Sequence, residues 1–307
     1  MLHPEEGVNL LKQVQFLVRT MRPKQWTKNV LFVYPALVFD GQLLHVNAFL
    51  NVTVACLFLI LISGTVYIIN DLVDIDKDRQ HPRKRNRPLA AGQLNIRFAR
   101  AAAVVLPFVT LVAAVLWSWK LAVVLLFYLA IQIAYSFLLK NVVIIDVLTV
   151  TAGFVLRVIA GVVVIEVENF SPWLYACTSL LALFLVVGKR RQELVQLGSE
   201  SLSTRPIFQH YNLALLDEML RIVTTSTLLT YILYTIEVET GKVAGVNVSL
   251  ITVPFVMYGL FHYMYLVYVK GDGGAPDEVL LNDRPLQITI VLWALTFFVL
   301  IYIPRLV

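Results

Sequence analysis

Charge is scarce in this sequence: Asp, Glu, Lys and Arg make up 15% of its 307 residues, against about 25% in a soluble globular domain. That shortage excludes an ordinary water-covered surface on a chain of this size. Cysteine is nearly absent, and Cys56 and Cys177 both lie inside apolar runs, so they read as buried small hydrophobes rather than a disulfide framework or redox pair. The five histidines are scattered, without the close His/Cys spacing of a zinc site. The apolar stretches do not alternate with polar residues, which excludes a membrane β-barrel. A secretory signal peptide is not expected, because Leu10 to Met21 carries Lys12, Gln13, Gln15 and Arg19 and has no uninterrupted apolar core. Residues 1–28 read instead as an interfacial N-terminal segment.

Apolar residues are abundant: 59% of the chain is hydrophobic, with a mean hydropathy of +0.77. A helical crossing takes about 20 such residues. Runs bounded by charge fall at 29–43, 47–70, 98–118, 121–139, 142–165, 172–188, 219–236, 248–269 and 287–304, and the first is weakened by Pro35 and Asp40. The pattern predicts an all-α integral membrane protein, a single domain over residues 1–307 with nine transmembrane helices. A homo-oligomer is compatible with it. Of the 25 Lys and Arg residues, only Lys120, Lys242 and Arg305 fall in one set of alternate loops, with Arg157 inside a segment. The bias places the N-terminus and the basic loops in the cytoplasm, on the inner face of a cell membrane. The net charge of +5 therefore belongs to topology, and nucleic acid is not expected as a partner.

The chemistry-bearing residues cluster at that same face. Asn70, Asp74 and Asp78 are spaced i, i+4, i+8, which on a helix gives one polar stripe. Oxygen ligands so arranged suit a Mg²⁺ that takes its other ligands from a substrate diphosphate. A basic stretch with Arg83 and Arg85 follows at once; next to an acidic stripe it points to phosphate-ester chemistry, with guanidinium groups holding the remaining oxygens. Arg22, Lys24, Gln25 and Lys28 sit just before the first apolar run, at the depth of a lipid phosphate, where membrane-interface anchors also occur. Tyr135, Lys140 and Asp146 bracket a further turn, with Asp146 a candidate base or Mg²⁺ neighbour. Arg157 lies within a span, where it is either the structural partner of a carboxylate or the wall of a polar cavity. The Gly-rich acidic stretch Lys270 to Pro285 reads as a loop that could close over a substrate. A secondary transporter would put its polar groups near the midplane, not at one face.

In a chain of nine predicted helices, Asn70-x-x-x-Asp74-x-x-x-Asp78 resembles the UbiA superfamily of intramembrane prenyltransferases. Four further stretches look like its decaprenyl-phosphate phosphoribosyltransferase branch: Arg22-Pro-Lys-Gln-Trp-Thr-Lys-Asn29, Asn70 to Pro82 with Arg87-Pro-Leu-Ala-Ala-Gly92, Leu156-Arg-Val-Ile-Ala-Gly161, and Gly188-Lys-Arg-Arg-Gln-Glu-Leu194. The resemblance implies Mg²⁺-dependent transfer of a 5-phosphoribosyl group from phosphoribosyl diphosphate to a polyprenyl phosphate, a step toward cell-envelope arabinan precursors. It implies metal ligation by Asn70, Asp74 and Asp78, and catalytic roles for Asp74, Asp78 and Asp146. The donor phosphates would meet Arg83, Arg85, Tyr135, Lys140, Lys189, Arg190 and Glu193, and the lipid phosphate Arg22, Lys24, Gln25, Lys28 and Arg157. Typical superfamily members carry a second Asp-rich motif near the end of the sixth helix; this chain has Lys189, Arg190, Arg191 and Glu193 there. A cationic clamp suits phosphate-bearing substrates better than the alternative, prenyl transfer to an aromatic acceptor.

Overall fold

Residues 10–82, 84–165, 167, 171–197, 206–238, 240–243, 245–271, 279 and 282–306 are described by a computed structural model of the chain. In chain order the helices are α1 (Leu10–Thr20), α2 (Trp26–Val33), α3 (Pro35–Phe39), α4 (Val46–Val73), α5 (Ile75–Gln80), α6 (Ile96–Trp117) and α7 (Trp119–Phe137). They continue with α8 (Ile145–Val162), α9 (Pro172–Leu197), α10 (Leu213–Glu237), α11 (Val253–Tyr265) and α12 (Arg284–Leu306). A small antiparallel hairpin, Lys242–Val243 with Val246–Asn247, lies between α10 and α11. Among the described residues, eight helical stretches are long and apolar enough to cross a membrane. The run expected at 29–43 is instead divided between α2 and α3, because Pro35 has no amide hydrogen and starts a new helix after Tyr34.

Local chemistry sets the helix ends. The Asn95 side chain accepts from the amides of Arg97 and Phe98 to start α6, and Asn212 accepts from Leu215 to start α10, both as N-caps. Large apolar side chains such as Val104, Phe108, Val115 and Leu116 of α6 are exposed, as a lipid-facing helix surface requires. In α1, Leu10, Leu11, Val14 and Val18 are exposed while Leu17 and Met21 just beyond its end are buried.

The chain divides into two compact units, one within Met1–Leu37, Leu43–Ser136 and Leu156–Glu166, the other within Val38–Gln42, Phe137–Val155 and Val167–Val307. The core of the first is built on α4, whose Val52, Leu59 and Ile62 pack with Val33, Leu37, Leu121, Leu125 and Ala160. A second apolar cluster, Leu17, Met21, Ile68, Leu89 and Leu94, fastens α1 and the loop after α5 to the end of α4. Here Gly161 of α8 passes so close to α2 that an added Cβ would overlap the Val33 carbonyl oxygen. The second unit packs α9 along α10, with Phe184, Val187, Leu216, Leu220, Leu260 and Leu286 at its centre.

Candidate functional site

In the first unit, α4 carries the acidic motif at its C-terminal end. The helix breaks at Asp74, whose backbone (φ −96°, ψ 10°) caps α4 and opens α5. The i to i+4 ladder nevertheless runs through the break: Asp74 N–H donates to Asn70 C=O at 3.0 Å, and Asp78 N–H to Asp74 C=O at 2.8 Å. Asn70, Asp74 and Asp78 therefore keep the vertical register of a helix.

Asp71 and Asp78 are the buried carboxylates of the motif, 2% and 3% exposed. Arg87 joins them: its Nη1 lies 3.1 Å from Asp71 Oδ1 and 2.7 Å from Asp78 Oδ2. Arg22 approaches Asp71 from the other side, with Nη2 at 2.7 Å from the same Oδ1 and its guanidinium 4.5 Å above the Tyr67 ring. Arg22 sits in left-handed backbone (φ 55°) at the junction of α1 and α2, an uncommon conformation for a residue with a Cβ. Two guanidinium groups thus neutralise two carboxylates that burial would otherwise penalise. Asn70 and Asp74 are half-buried, and neither side chain has a hydrogen-bond or ionic partner among the described residues.

No group of three or more His, Cys, Asp or Glu side chains is placed to hold a metal ion among the described residues. The uncommitted donors, an amide and a carboxylate, with Asp78 one turn further on, are all hard oxygens. In kind they fit Mg²⁺, which keeps several waters and needs only one or two protein carboxylates. Of the phosphate-binding residues expected here, Arg85 and Lys24 are exposed, while Gln25 and Lys28 are half-buried; Arg83 lies outside the described residues. Asp71 and Arg87 escaped the sequence reading. Asp71 is one position off the i, i+4 stripe, and Arg87 lies within a basic stretch whose spacing does not set it apart.

Deeper in the same unit, Arg157 of α8 is 8% exposed. Its Nε donates to Asn29 Oδ1 at 2.8 Å and its Nη2 to the Tyr128 hydroxyl at 2.6 Å, with the guanidinium 4.9 Å from the Tyr128 ring centroid. Asn29 in turn donates through Nδ2 to Ser63 Oγ at 3.2 Å. These partners, an amide oxygen of α2 and a phenol of α7, hold the guanidinium between neighbouring helices, and neither is the carboxylate expected for a structural pair. Tyr135 is half-buried near the end of α7.

The second unit holds a separate cluster. Asp146, in the first turn of α8, is fully buried; its Oδ2 accepts from Arg190 Nε at 2.9 Å and its Oδ1 from the Tyr211 hydroxyl at 2.6 Å. Arg190 also donates through Nη1 to Glu193 at 2.9 Å, one turn along α9. The Tyr211 hydroxyl accepts from the Ile144 amide at 2.8 Å. Burial, and then the Asp146 carboxylate, push the Tyr211 phenol up to about 12. With both oxygens engaged and no exposure, Asp146 is placed to orient Arg190 rather than to abstract a proton. Beside it, Arg191 donates to Asp217 at 2.5 Å and lies over the Tyr268 ring. Lys140, in the turn Leu139–Asn141, and Lys189 are exposed. The loop expected to close over a substrate falls largely at 272–278 and 280–281, outside the described residues.

Residues 30–271 match the UbiA prenyltransferase family. The chain is similar to a decaprenyl-phosphate phosphoribosyltransferase of Corynebacterium glutamicum, 31% identical over 291 residues that cover 94% of this chain and 87% of that protein. It is similar also to one of Mycobacterium tuberculosis, 32% identical over 284 residues, 91% of this chain and 92% of that protein. Among solved structures, a UbiA homologue from Archaeoglobus fulgidus bound to GPP and Mg²⁺ superposes with a TM-score of 0.67 at 18% identity, over 93% of this chain and 99% of that one. At that identity the likeness shows the helical fold.

Proposed function

We propose, on the premise that this chain belongs to the UbiA prenyltransferase family and is a multi-pass membrane transferase, that it moves a 5-phosphoribosyl group from phosphoribosyl diphosphate to a polyprenyl phosphate. The reaction releases diphosphate on the cytoplasmic side, and its product would feed the synthesis of cell-envelope arabinan precursors. The observation that carries this reading is the polar end of α9, where Arg190 is fixed by Asp146 and Glu193 with Lys189 exposed beside it. A fixed guanidinium recognises phosphate oxygens, and a donor bearing a 5-phosphate beside its diphosphate offers more of them than a prenyl diphosphate does. The names of the relatives support the same transferred group and the same kind of acceptor.

The bond that breaks joins the anomeric carbon to the diphosphate. The bond that forms joins that carbon to an oxygen of the lipid phosphate, which attacks from the opposite face and inverts the centre. A phosphate mono-ester is already anionic near neutral pH, so the chain needs no strong general base. Mg²⁺ held by Asn70, Asp74 and Asp78 would neutralise charge on the departing diphosphate. We assign Arg190, Lys189, Lys140 and Arg85 to the donor phosphates, and Lys24, Gln25 and Lys28 to the lipid phosphate. Arg22, bonded to Asp71, and Arg157, bonded to Asn29 and Tyr128, are assigned to holding the helices that carry the site. Positioning and exclusion of water are then the protein's main tasks.

The test is mass spectrometry of the lipids formed by detergent-purified protein. One reaction receives Mg²⁺, polyprenyl phosphate and phosphoribosyl diphosphate; a second receives a prenyl diphosphate and aromatic acceptors. A lipid heavier by one phosphoribosyl unit, lost with EDTA, is expected. A prenylated aromatic product instead, or no product in the first tube, would overturn the reading.

A further inference from the structure

Resting on the assignment of Arg190 to the donor phosphates, the geometry points to Tyr211 as a positioning residue for donor binding: its hydroxyl ties the Asp146–Arg190 pair to the backbone at Ile144, just after the turn that carries Lys140. Tyr211 is 5% exposed and comes from neither α8 nor α9. It follows the turn Pro206–His210, which packs against Leu139–Asn141. Its oxygen makes two bonds of opposite sense, donating to Asp146 Oδ1 at 2.6 Å and accepting from the Ile144 amide at 2.8 Å.

Each bond removes a freedom that the cluster would otherwise keep. A carboxylate pivots easily about its last side-chain torsion, which is broad. With Arg190 on one oxygen and Tyr211 on the other, the Asp146 carboxylate is pinned at both ends. Arg190 is then fixed through Nε by Asp146 and through Nη1 by Glu193, and the plane of its guanidinium is set. Ile144, two residues before Asp146, has φ 68°, a left-handed conformation that is costly for a β-branched residue and persists only where its surroundings impose it. The Tyr211 oxygen, on the Ile144 amide, supplies that constraint. The phenol keeps its proton up to about pH 12, chiefly through burial, so it can donate to Asp146 and accept from Ile144 throughout the working range. One hydroxyl therefore joins Tyr211 to the piece of chain that holds Ile144 and Asp146, and Arg190 of α9 meets them through Asp146.

Tyr211→Phe deletes that oxygen and nothing else. The probe is phosphoribosyl diphosphate, in equilibrium binding to the full-length protein without lipid and in steady-state kinetics. The expected result is a Kd and KM for phosphoribosyl diphosphate raised about tenfold, with kcat within about threefold. The KM for polyprenyl phosphate stays near wild type, while the loss of two hydrogen bonds lowers the thermal midpoint by a few degrees. Because glycine adopts positive φ without strain, Ile144→Gly added to Tyr211→Phe should recover part of the lost donor affinity. Unchanged donor binding in Tyr211→Phe would overturn the inference alone. An equal rise in both KM values, or a fall in kcat that tracks a lowered melting point, would reduce Tyr211 to a structural role and overturn it as well. Wild-type protein that binds no phosphoribosyl diphosphate would remove the proposed function and this inference together. Should Tyr211→Phe fail to accumulate, Asp146→Asn breaks the chain at its next link; a donor KM unaltered there counts against the inference.

Discussion

Arg87 reaches back from the loop after α5 to Asp78, their nearest atoms 2.7 Å apart, and the same Nη1 touches Asp71 at 3.1 Å. One guanidinium thereby holds the helix end and the loop together. Removing it leaves two buried carboxylates with less countercharge, and breaking a buried pair costs about 3–5 kcal/mol. Because the Arg87 side chain is 27% exposed, the lower end of that range is expected for Arg87→Ala. Thermal unfolding in detergent would show it, and Asp71→Asn in the same background should recover part of the loss. A melting point unmoved by Arg87→Ala would remove this structural role.

Asp74 behaves as the opposite case. It is half-buried, with no side-chain partner among the described residues, so Asp74→Asn should change stability by no more than about 0.5 kcal/mol. Turnover should nevertheless fall about 100-fold or more, the scale of losing one preorganised electrostatic contact, and excess Mg²⁺ should not restore it. An Asp74→Asn enzyme of normal activity would exclude the residue from the reaction.

The contrast between Asp74 and Asp71 shows how far the primary structure reaches. Apolar run length made the helices legible, since the cost of burying an unpaired peptide group in lipid leaves few alternatives. The break at Tyr34–Pro35 was visible as a weak span, whereas its outcome, two short helices, depends on the packing of Val33 and Leu37 into the core. The stripe Asn70, Asp74, Asp78 was legible because periodicity is local. Asp71 with Arg22, Arg157 with Asn29, and Asp146 with Tyr211 are separated by 49, 128 and 65 positions, and nothing in local spacing encodes such pairs. Tyr211 in particular carries no signal beyond being one of 13 tyrosines.

Gly161 and Arg157 lie one turn apart in α8 and face the same neighbour. A Cβ at 161 would overlap the Val33 carbonyl of α2, and Arg157 bonds Asn29 of α2 at 2.8 Å. Gly161→Ala should therefore force the two helices apart, at about 1–3 kcal/mol, and lengthen the Arg157–Asn29 bond. Its effect should be less than additive with Asn29→Ala, since the two share that contact. Full additivity in a double-mutant cycle of melting free energies would separate them.

The lipid side is tested by Lys28→Ala. Lys28 is half-buried on α2, and the assignment predicts a KM for polyprenyl phosphate raised several-fold, with the KM for phosphoribosyl diphosphate unchanged. A loss of about 1 kcal/mol in an interfacial contact corresponds to about fivefold. An unchanged lipid KM would count against placing the lipid phosphate here.

Tyr211 also leaves a mark on stability at high pH. Burial first, and the Asp146 hydrogen bond second, push its phenol up to about 12 from an ordinary value of 10. The folded chain thus retains a proton that the unfolded chain releases at lower pH. For a raised value, the stabilisation is whole below about pH 10 and disappears as pH climbs through about 12, because only the unfolded state gains by ionising in that window. Below pH 9 neither state ionises, and no limb in the rate profile should trace to this residue. The wild-type melting point should accordingly fall more steeply between pH 10 and 12 than that of Tyr211→Phe, which has no phenol to titrate at this position. Since the other tyrosines are common to both proteins, the difference between the two curves isolates this group. Parallel curves would mean that the Tyr211 phenol ionises alike in both states, and that its bond to Asp146 is not made in solution.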